Sequence, residues 1–242
     1  MRLYAESVPY YDAIYDAVYD PHSGKDYGAE SKRLRAFIGR YKRSDGTSLL
    51  DVAVGTGRHI YYLKAWFDVE GLDINRKMIR LAQARNPRVK FHQGDMRTFK
   101  LRKQFDVITC LFSAIGYMTT LAKLRAAVRN MSQHLKPGGV LIVEPWITPR
   151  NFKPHSLHVV LVNQPKLKLA RFGRSIAHGK ISIIDFHYLI ATPKTVRYFR
   201  ETEKFGLFTH SQYLAAFHDA GLKVVYDRKG LIGRGLYIGV KS

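Results

Sequence analysis

The chain has 242 residues, 46% of them hydrophobic and 24% charged, with a formal net charge of +21. That composition excludes general disorder, and no run approaches the roughly 18 apolar residues of a membrane span. The single cysteine, Cys110, excludes a disulfide framework and a cysteine-based zinc site. The first dozen residues carry no apolar signal core, so a cytoplasmic protein with no membrane partner is expected. The positive excess is shared along the chain rather than gathered in a tail. Three meanings stay open for it: nucleic acid, a small anionic substrate, or compositional bias.

Leu34, Phe37, Ile38 and Tyr41 fall on one face of a helix that Ser44-Asp45-Gly46 ends. An apolar run, Ser48 to Val54, enters the glycine turn Gly55-Thr56-Gly57, and a helix is expected from His59 to Phe67. Strand Val69–Asp73, helix Lys77–Arg85, strand Val89–His92 and strand Phe105–Leu111 follow. Leu121, Leu124, Val128, Met131 and Leu135 give an amphipathic helix, stopped by the turn Lys136-Pro-Gly-Gly139 before the buried strand Val140–Val143. Alternation of apolar strands with helices predicts a parallel sheet covered on both faces. After Pro149 the segments 157–162, 167–172, 180–190 and 195–205 all read as extended, which predicts an antiparallel layer. Thr209 caps a helix that Gly221 stops, and strands at 223–227 and 235–240 complete the chain. The expected organisation is one domain over 1–242, with an inserted antiparallel sheet over 150–208.

The element at 49–60 carries the chemistry. Glycines after a strand let backbone approach a ligand, and the helix that follows favours an anionic group at its start. Asp73 ends the next strand about twenty residues on, where a carboxylate can accept from both hydroxyls of a ribose. Gly55-x-Gly57 alone is weak; joined in order by Asp51, Asp73, Asp95 and Lys136-Pro-Gly-Gly139 it becomes strong.

Leu50-Asp-Val-Ala-Val-Gly-Thr-Gly57 resembles the first motif of class I S-adenosylmethionine-dependent methyltransferases. Gly71-Leu-Asp73, Gly94-Asp95-Met96 and His134-Leu-Lys-Pro-Gly-Gly139 resemble their later motifs, with Ala53 where the pattern has its first glycine. The likeness extends further, from about Tyr4 to Val240, to the TDP-3-amino-sugar N,N-dimethyltransferases. It is carried by Gly24-Lys-Asp-Tyr27, Phe105 to Met118, Val143-Glu-Pro-Trp146, His187-Tyr-Leu189, Leu207-Phe-Thr209 and Gly233-Arg-Gly-Leu236. The fold implied is a Rossmann-like α/β sheet, mostly parallel with an antiparallel last strand, plus the inserted antiparallel layer.

The resemblance implies S-adenosylmethionine as cofactor, no metal, and an anionic nucleotide sugar as acceptor; it argues against nucleic acid and allows a homodimer. Asp51 would orient the methionine amino group, and Ala53, Gly55 and Gly57 would line that moiety with backbone. Asp73 would hold the ribose, Asp95 and Met96 the adenine, and Leu111 the sulfonium end. Tyr10, Tyr11, Tyr15 and Tyr27 are candidates to close over the bound molecules, Tyr15 on the cofactor and Tyr10, with Trp146, on the acceptor. Packing of a helix face on the core explains any single tyrosine equally well. Arg234, between two glycines, suits bidentate phosphate binding; Arg150, Lys153, Arg171 and Arg174 are further basic candidates. Tyr117 and His187 are the first choices for work on the amine, with Glu144 and Asp185 behind them. A phenol with pKa about 10 is a poor base at neutral pH, so Tyr117, where relatives carry histidine, is expected to position the amine. RNA methylation is the alternative that the charge motivates. Against it, the segment Leu111 to Tyr117 lacks the Asp/Asn-Pro-Pro-Tyr run of many base N-methyltransferases.

Overall fold

The structure, a computed structural model, describes residues 6–18 and 25–242. Tyr4 and Gly24, which bound two of the resembling stretches, lie outside them. In chain order the helices are α1 (Tyr11–Val18), α2 (Tyr27–Tyr41), α3 (Arg58–Leu63), α4 (Arg76–Arg85), α5 (Leu121–Gln133) and α6 (His210–Asp219). The strands are β1 (Ser48–Val52), β2 (Asp68–Asp73), β3 (Lys90–Gln93), β4 (Phe105–Cys110) and β5 (Leu135–Val143), then β6 (Leu157–Gln164), β7 (Leu167–His178), β8 (Ile181–Thr192), β9 (Thr195–Gly206), β10 (Leu222–Asp227) and β11 (Leu236–Lys241). Among the described residues no helix is long and apolar enough to cross a membrane.

Two compact units result. One comprises Tyr27–Pro149 with Gly206–Ser242 and contains a seven-stranded sheet in the order β10-β11-β5-β4-β1-β2-β3. Strands β1 to β5 pair in parallel, and the last strand in sequence, β11, runs antiparallel to both β5 and β10. Successive strand residues point to opposite faces, and each face has its own helices. Leu50, Val52, Ile108, Leu141 and Val143 pack with Leu124, Val128, Met131 and Phe217 of α5 and α6. Leu49, Val107, Val140 and Ile142 pack with Leu34, Ile38, Ile60 and Leu63 of α2 and α3. Burial on both faces explains why these strands read as unbroken apolar runs rather than as alternating ones.

Two sequence readings change. The helix after the glycine turn stops at Leu63, because the chain tightens there into shorter turns, with Trp66 N–H donating to Leu63 O and Phe67 N–H to the same oxygen. Lys136-Pro-Gly-Gly139 is no free turn between helix and strand. The helix ends at Gln133, and these residues form the irregular first half of β5, where its register against β4 shifts between Phe105 and Val107. Gly138 has φ +72, and its carbonyl accepts from the Arg43 and Ser44 N–H groups; a Cβ there would stand 2.8 Å from Ser44 N. The glycine therefore serves a close backbone approach. Thr209 caps α6 as expected, in a full capping box with Gln212.

The other unit comprises the described part of Met1–Asp26 together with Arg150–Phe205. Its sheet is antiparallel in the order β6-β7-β8-β9. Strands β7, β8 and β9 have 12 residues each, longer than the sequence expectation. In β7 the extra residues are Gly173 to His178, mostly polar or small apart from Ile176, so the sequence gives little apolar signal there. A short 3-10 turn, Val8–Tyr10, leads into α1. Glu201 of β9 holds that entry by accepting from Glu6 N–H at 2.7 Å and from the Ser7 hydroxyl at 2.5 Å.

Candidate active site

In the larger unit, the strand order reverses between β4 and β1, and the carboxyl ends of adjacent strands there are where open α/β sheets bind ligands. The sequence places Asp51 near the end of β1, Asp73 at the end of β2, and Leu111 just past β4. The glycine turn after β1 is built on left-handed backbone: φ is +59 at Ala53, +56 at Gly55 and +72 at Gly57. Alanine at 53 holds that conformation at a cost of about 1–2 kcal/mol. A Cβ on Gly55 would meet nothing within 4 Å, so the backbone faces open space there. Gly57 is closed in instead; a Cβ would stand 2.9 Å from Asn86 Nδ2. Asn86, 1% exposed, donates to Gly57 O at 3.0 Å and so ties the turn to the end of α4.

Asp73 accepts from Gly55 N–H at 2.9 Å with one oxygen and from Asn75 N–H at 2.8 Å with the other. Burial pushes its carboxyl above the ordinary range, against those backbone bonds. Asp51 accepts from the Thr109 hydroxyl at 2.7 Å; burial raises it to about 6, opposed by the charge of His59 and by Thr109. His59 in turn meets Glu30 at 2.8 Å, a buried pair from α3 and α2. Asp95 and Met96 follow β3. Arg97 grips both Asp95 oxygens, through Nε at 3.0 Å, and holds the carboxyl below its usual range. Met96 is buried, and its carbonyl accepts from Asn130 Nδ2 at 3.2 Å.

Past Leu111 the chain makes a strained turn. Phe112 and Ser113 both have left-handed backbone, φ +51 and +61, a conformation that costs non-glycine residues about 1–3 kcal/mol each and gathers at functional sites. The loop after β5 holds it. Glu144, fully buried, accepts from Phe112 N–H at 2.6 Å, and the Ser113 hydroxyl donates to Pro145 O at 2.7 Å. Arg234 donates to Ser113 Oγ at 2.9 Å, its guanidinium 5.4 Å from the Trp146 ring centroid and 5.9 Å from that of Phe112. Leu111, Glu144, Trp146 and Arg234 are thus brought together around one turn, and Tyr117 ends the 3-10 helix, Ala114–Tyr117, that follows it. Cys110, buried beneath it, has its thiol pushed up by burial and by Asp51 and Glu144.

Tyr27, at the start of α2, is buried with its ring 4.9 Å from that of His59; the other sequence candidates lie in the smaller unit. Tyr10 ends the 3-10 turn and is half-buried. Tyr15, on α1, packs its ring 4.5 Å from Tyr11 and beside the Arg171 guanidinium. His187, on β8, bonds the Tyr198 hydroxyl at 2.6 Å through Nδ1, with Nε2 3.6 Å from Asp185. Asp185 is held by Arg200 through two bonds, at 2.6 and 2.9 Å, with Arg174 at 3.6 Å.

Sequence reasoning missed Asn86, Arg97, Ser113 and the Glu30–His59 pair. Arg97 stood two residues from Asp95, a spacing that could have signalled the clamp. The others meet their partners only through the tertiary fold.

A sheet of this order, with an open glycine turn and buried carboxylates at the ends of β1 and β2, is the architecture of a class I S-adenosylmethionine-dependent methyltransferase, and residues 49–139 match the family described as a methyltransferase domain. The chain is 38% identical to the dTDP-3-amino-3,4,6-trideoxy-alpha-D-glucopyranose N,N-dimethyltransferase of Streptomyces venezuelae, covering 95% of this chain and 97% of that one. It is 37% identical to the dTDP-4-amino-2,3,4,6-tetradeoxy-D-glucose N,N-dimethyltransferase of Saccharopolyspora spinosa, covering 95% and 92%. The solved structure of S-adenosylmethionine-bound CalS10, an amino pentose methyltransferase from Micromonospora echinaspora, superimposes with a TM-score of 0.85 at 37% identity, over 100% of this chain and 99% of that one. The chain belongs to the family of dTDP-amino-sugar N,N-dimethyltransferases.

Proposed function

We propose that this protein transfers methyl groups from S-adenosylmethionine to the amino group of a dTDP-linked deoxyamino sugar, and that two transfers give a dimethylamine. The observation that carries the reading is the buried carboxylate pair Asp51 and Asp73 flanking open backbone at Gly55, in a chain similar over nearly its whole length to enzymes of that name. Those relatives carry the amine at carbon 3 or at carbon 4, so the shared acceptor chemistry is an amine on a dTDP-deoxysugar. The whole chain acts in this reading as one methyltransferase. The +21 charge suits an acceptor bearing a diphosphate.

The donor supplies an electrophilic methyl on a sulfonium. The protein has to bind it, align the amine in line at about 3 Å and exclude water. Asp51 orients the methionine ammonium, while Ala53, Gly55 and Gly57 offer backbone. Asp73, a carboxylate with two acceptor oxygens oriented by backbone N–H groups, suits a ribose diol. Asp95 and Met96 face the adenine, with Arg97 fixing the Asp95 carboxylate. Leu111 and the turn behind it flank the sulfonium. Trp146 lines the acceptor. Arg234, which lends one N–H to Ser113, has further donors for a phosphate oxygen. Tyr117 positions the amine. His187 is a weaker candidate for the amine proton, because Tyr198 and Asp185 already engage both of its ring nitrogens.

Two expectations follow for the site. Tyr117→Phe should keep turnover within about tenfold and lose mainly acceptor affinity, since loss of a proton-transfer group costs about 10²–10⁴-fold; single-turnover rates with saturating acceptor decide this. The charged form of Asp51 is the one that attracts an ammonium group, so affinity for S-adenosylhomocysteine should fall as the pH drops below about 6 and flatten in Asp51→Asn, as read by calorimetry across pH. The effect on stability runs the other way. A folded-state value of about 6 against an ordinary 3.8 means that this group's contribution is fully present below about pH 4 and is lost as the pH rises through 6. The function itself is tested by following labelled methyl from the donor into dTDP-3-amino and dTDP-4-amino sugars, with bulk tRNA and rRNA in parallel. Label in the sugars is expected; label in RNA alone would overturn the reading.

A further inference from the structure

Glu30, on α2, is 5% exposed, and His59, on α3, is 7% exposed. His59 Nε2 lies 2.8 Å from Glu30 Oε2. An ionised carboxylate only accepts, so the imidazole donates. The Tyr27 ring stands edge-on to the imidazole, with centroids 4.9 Å apart. His59 lies two residues past Gly57, whereas Asp51 lies on β1, so the two flank the glycine turn over 53–57. All of these residues belong to the larger unit.

Taking two charges out of water can cost more than their attraction returns, so a buried ion pair is weak evidence for stability. What this pair faces gives it another use. Asp51 and Asp73 are both buried, on the adjacent strands β1 and β2. Burial raises the Asp51 carboxyl to about 6. The charge of His59 is the first influence against that rise, ahead of the bond from the Thr109 hydroxyl, while the charge of Asp73 adds to it. The titratable and charged groups around the pair and Asp51 come from several elements. Asp73 stands on β2, and the Cys110 thiol, itself pushed up by burial and by Asp51, stands on β4. Arg58 of α3 lies over the Tyr27 ring at 4.7 Å, and Arg85 of α4 donates to Thr56 O in the turn.

We propose that Glu30 and His59 are positioning residues for the donor's methionyl ammonium group: Glu30 holds the His59 imidazolium, and the imidazolium keeps Asp51 as the carboxylate that meets the ammonium. This rests on the donor placement proposed above, with the ammonium at Asp51. Calorimetry on wild type, His59→Gln and Glu30→Gln between about pH 5 and about pH 8, the range in which histidine titrates, tests it. Two ligands are compared: S-adenosylhomocysteine, and 5′-methylthioadenosine, which keeps the adenosine and the sulfur but has no ammonium. Wild-type affinity for S-adenosylhomocysteine should fall below about pH 6. In His59→Gln that midpoint is expected to rise by about one unit, the low end of what a neighbouring opposite charge supplies. Such a shift makes binding about fivefold weaker at pH 6 and leaves it within about twofold at pH 8. Glu30→Gln, which keeps an oxygen for Nε2 but not the charge, should move the profile the same way, and either variant decides the matter should the other fail to fold. Methylthioadenosine should bind each folded variant as it binds the wild type at every pH. Equal weakening of both ligands at all pH values would mark a purely structural role and overturn the inference. A wild-type fall that the folded variants repeat at the same pH overturns the role of the pair alone. A wild-type profile that is flat counts against the ammonium at Asp51 and overturns this inference with it.

Discussion

Replacing Asp73 by alanine is expected to weaken S-adenosylhomocysteine binding by about tenfold to a hundredfold, since a hydrogen bond to a charged group contributes about 1.5–3 kcal/mol. The same change removes the acceptor of Gly55 N–H and of Asn75 N–H. Both bonds are partly buried, and losing a hydrogen bond to a charged group there costs about 1 kcal/mol or more, so the ligand-free protein should also melt earlier. Asp73→Asn separates the two effects, because its amide oxygen can keep one of the backbone bonds while the charge is gone. Calorimetry and thermal melts on both variants measure this. An alanine variant with wild-type affinity would contradict a role for Asp73 in holding the ribose.

Glu144→Ala should have the second largest effect, and the reason is mechanical. Glu144 holds Phe112 N–H at the first of two consecutive left-handed residues. Without that acceptor the turn is expected to relax toward ordinary backbone and carry Ser113, with its bond from Arg234, out of place. A loss of about 1–3 kcal/mol corresponds to a fall of about 2–12 °C in melting temperature for a chain of this size. Turnover at saturating donor and acceptor should fall at least tenfold, on the order of what a small misplacement of reacting groups costs. Glu144→Gln presents an oxygen to the same N–H, so its melting temperature should stay close to that of the wild type. An alanine variant with unchanged melting temperature and turnover would show that the turn holds itself.

Much of the larger unit was legible because its signals are local. The run Leu49–Val54 is apolar at every position but the buried Asp51, and the glycines at 55 and 57 sit where positive φ is needed. Asp73 ends its strand because a buried carboxylate needs the backbone donors found only at a strand end. The antiparallel layer was legible from turn residues between extended runs. Lys136-Pro-Gly-Gly139 misled because glycine and proline mark tight backbone without saying whether it lies in a free turn or in an irregular strand. Glu144 read only as a possible base, since its partner Phe112 is 32 residues away. Arg171 read only as one of four basic candidates beside Arg234, and its burial on β7 was hidden because a cation in an alternating strand gives no sign of which face is covered. Both depend on which strands become neighbours, and no local pattern reports that.

In the proposed function the nitrogen of a dTDP-linked sugar is the methyl acceptor. Mass spectrometry of the products from purified protein, S-adenosylmethionine and a dTDP-3-amino or dTDP-4-amino deoxysugar measures this directly. Two added methyl groups are predicted, with fragmentation placing both on the sugar nitrogen and leaving the thymine and phosphates unmodified. Unchanged sugar nucleotides of both kinds, with methyl recovered on RNA or on no acceptor, would contradict it.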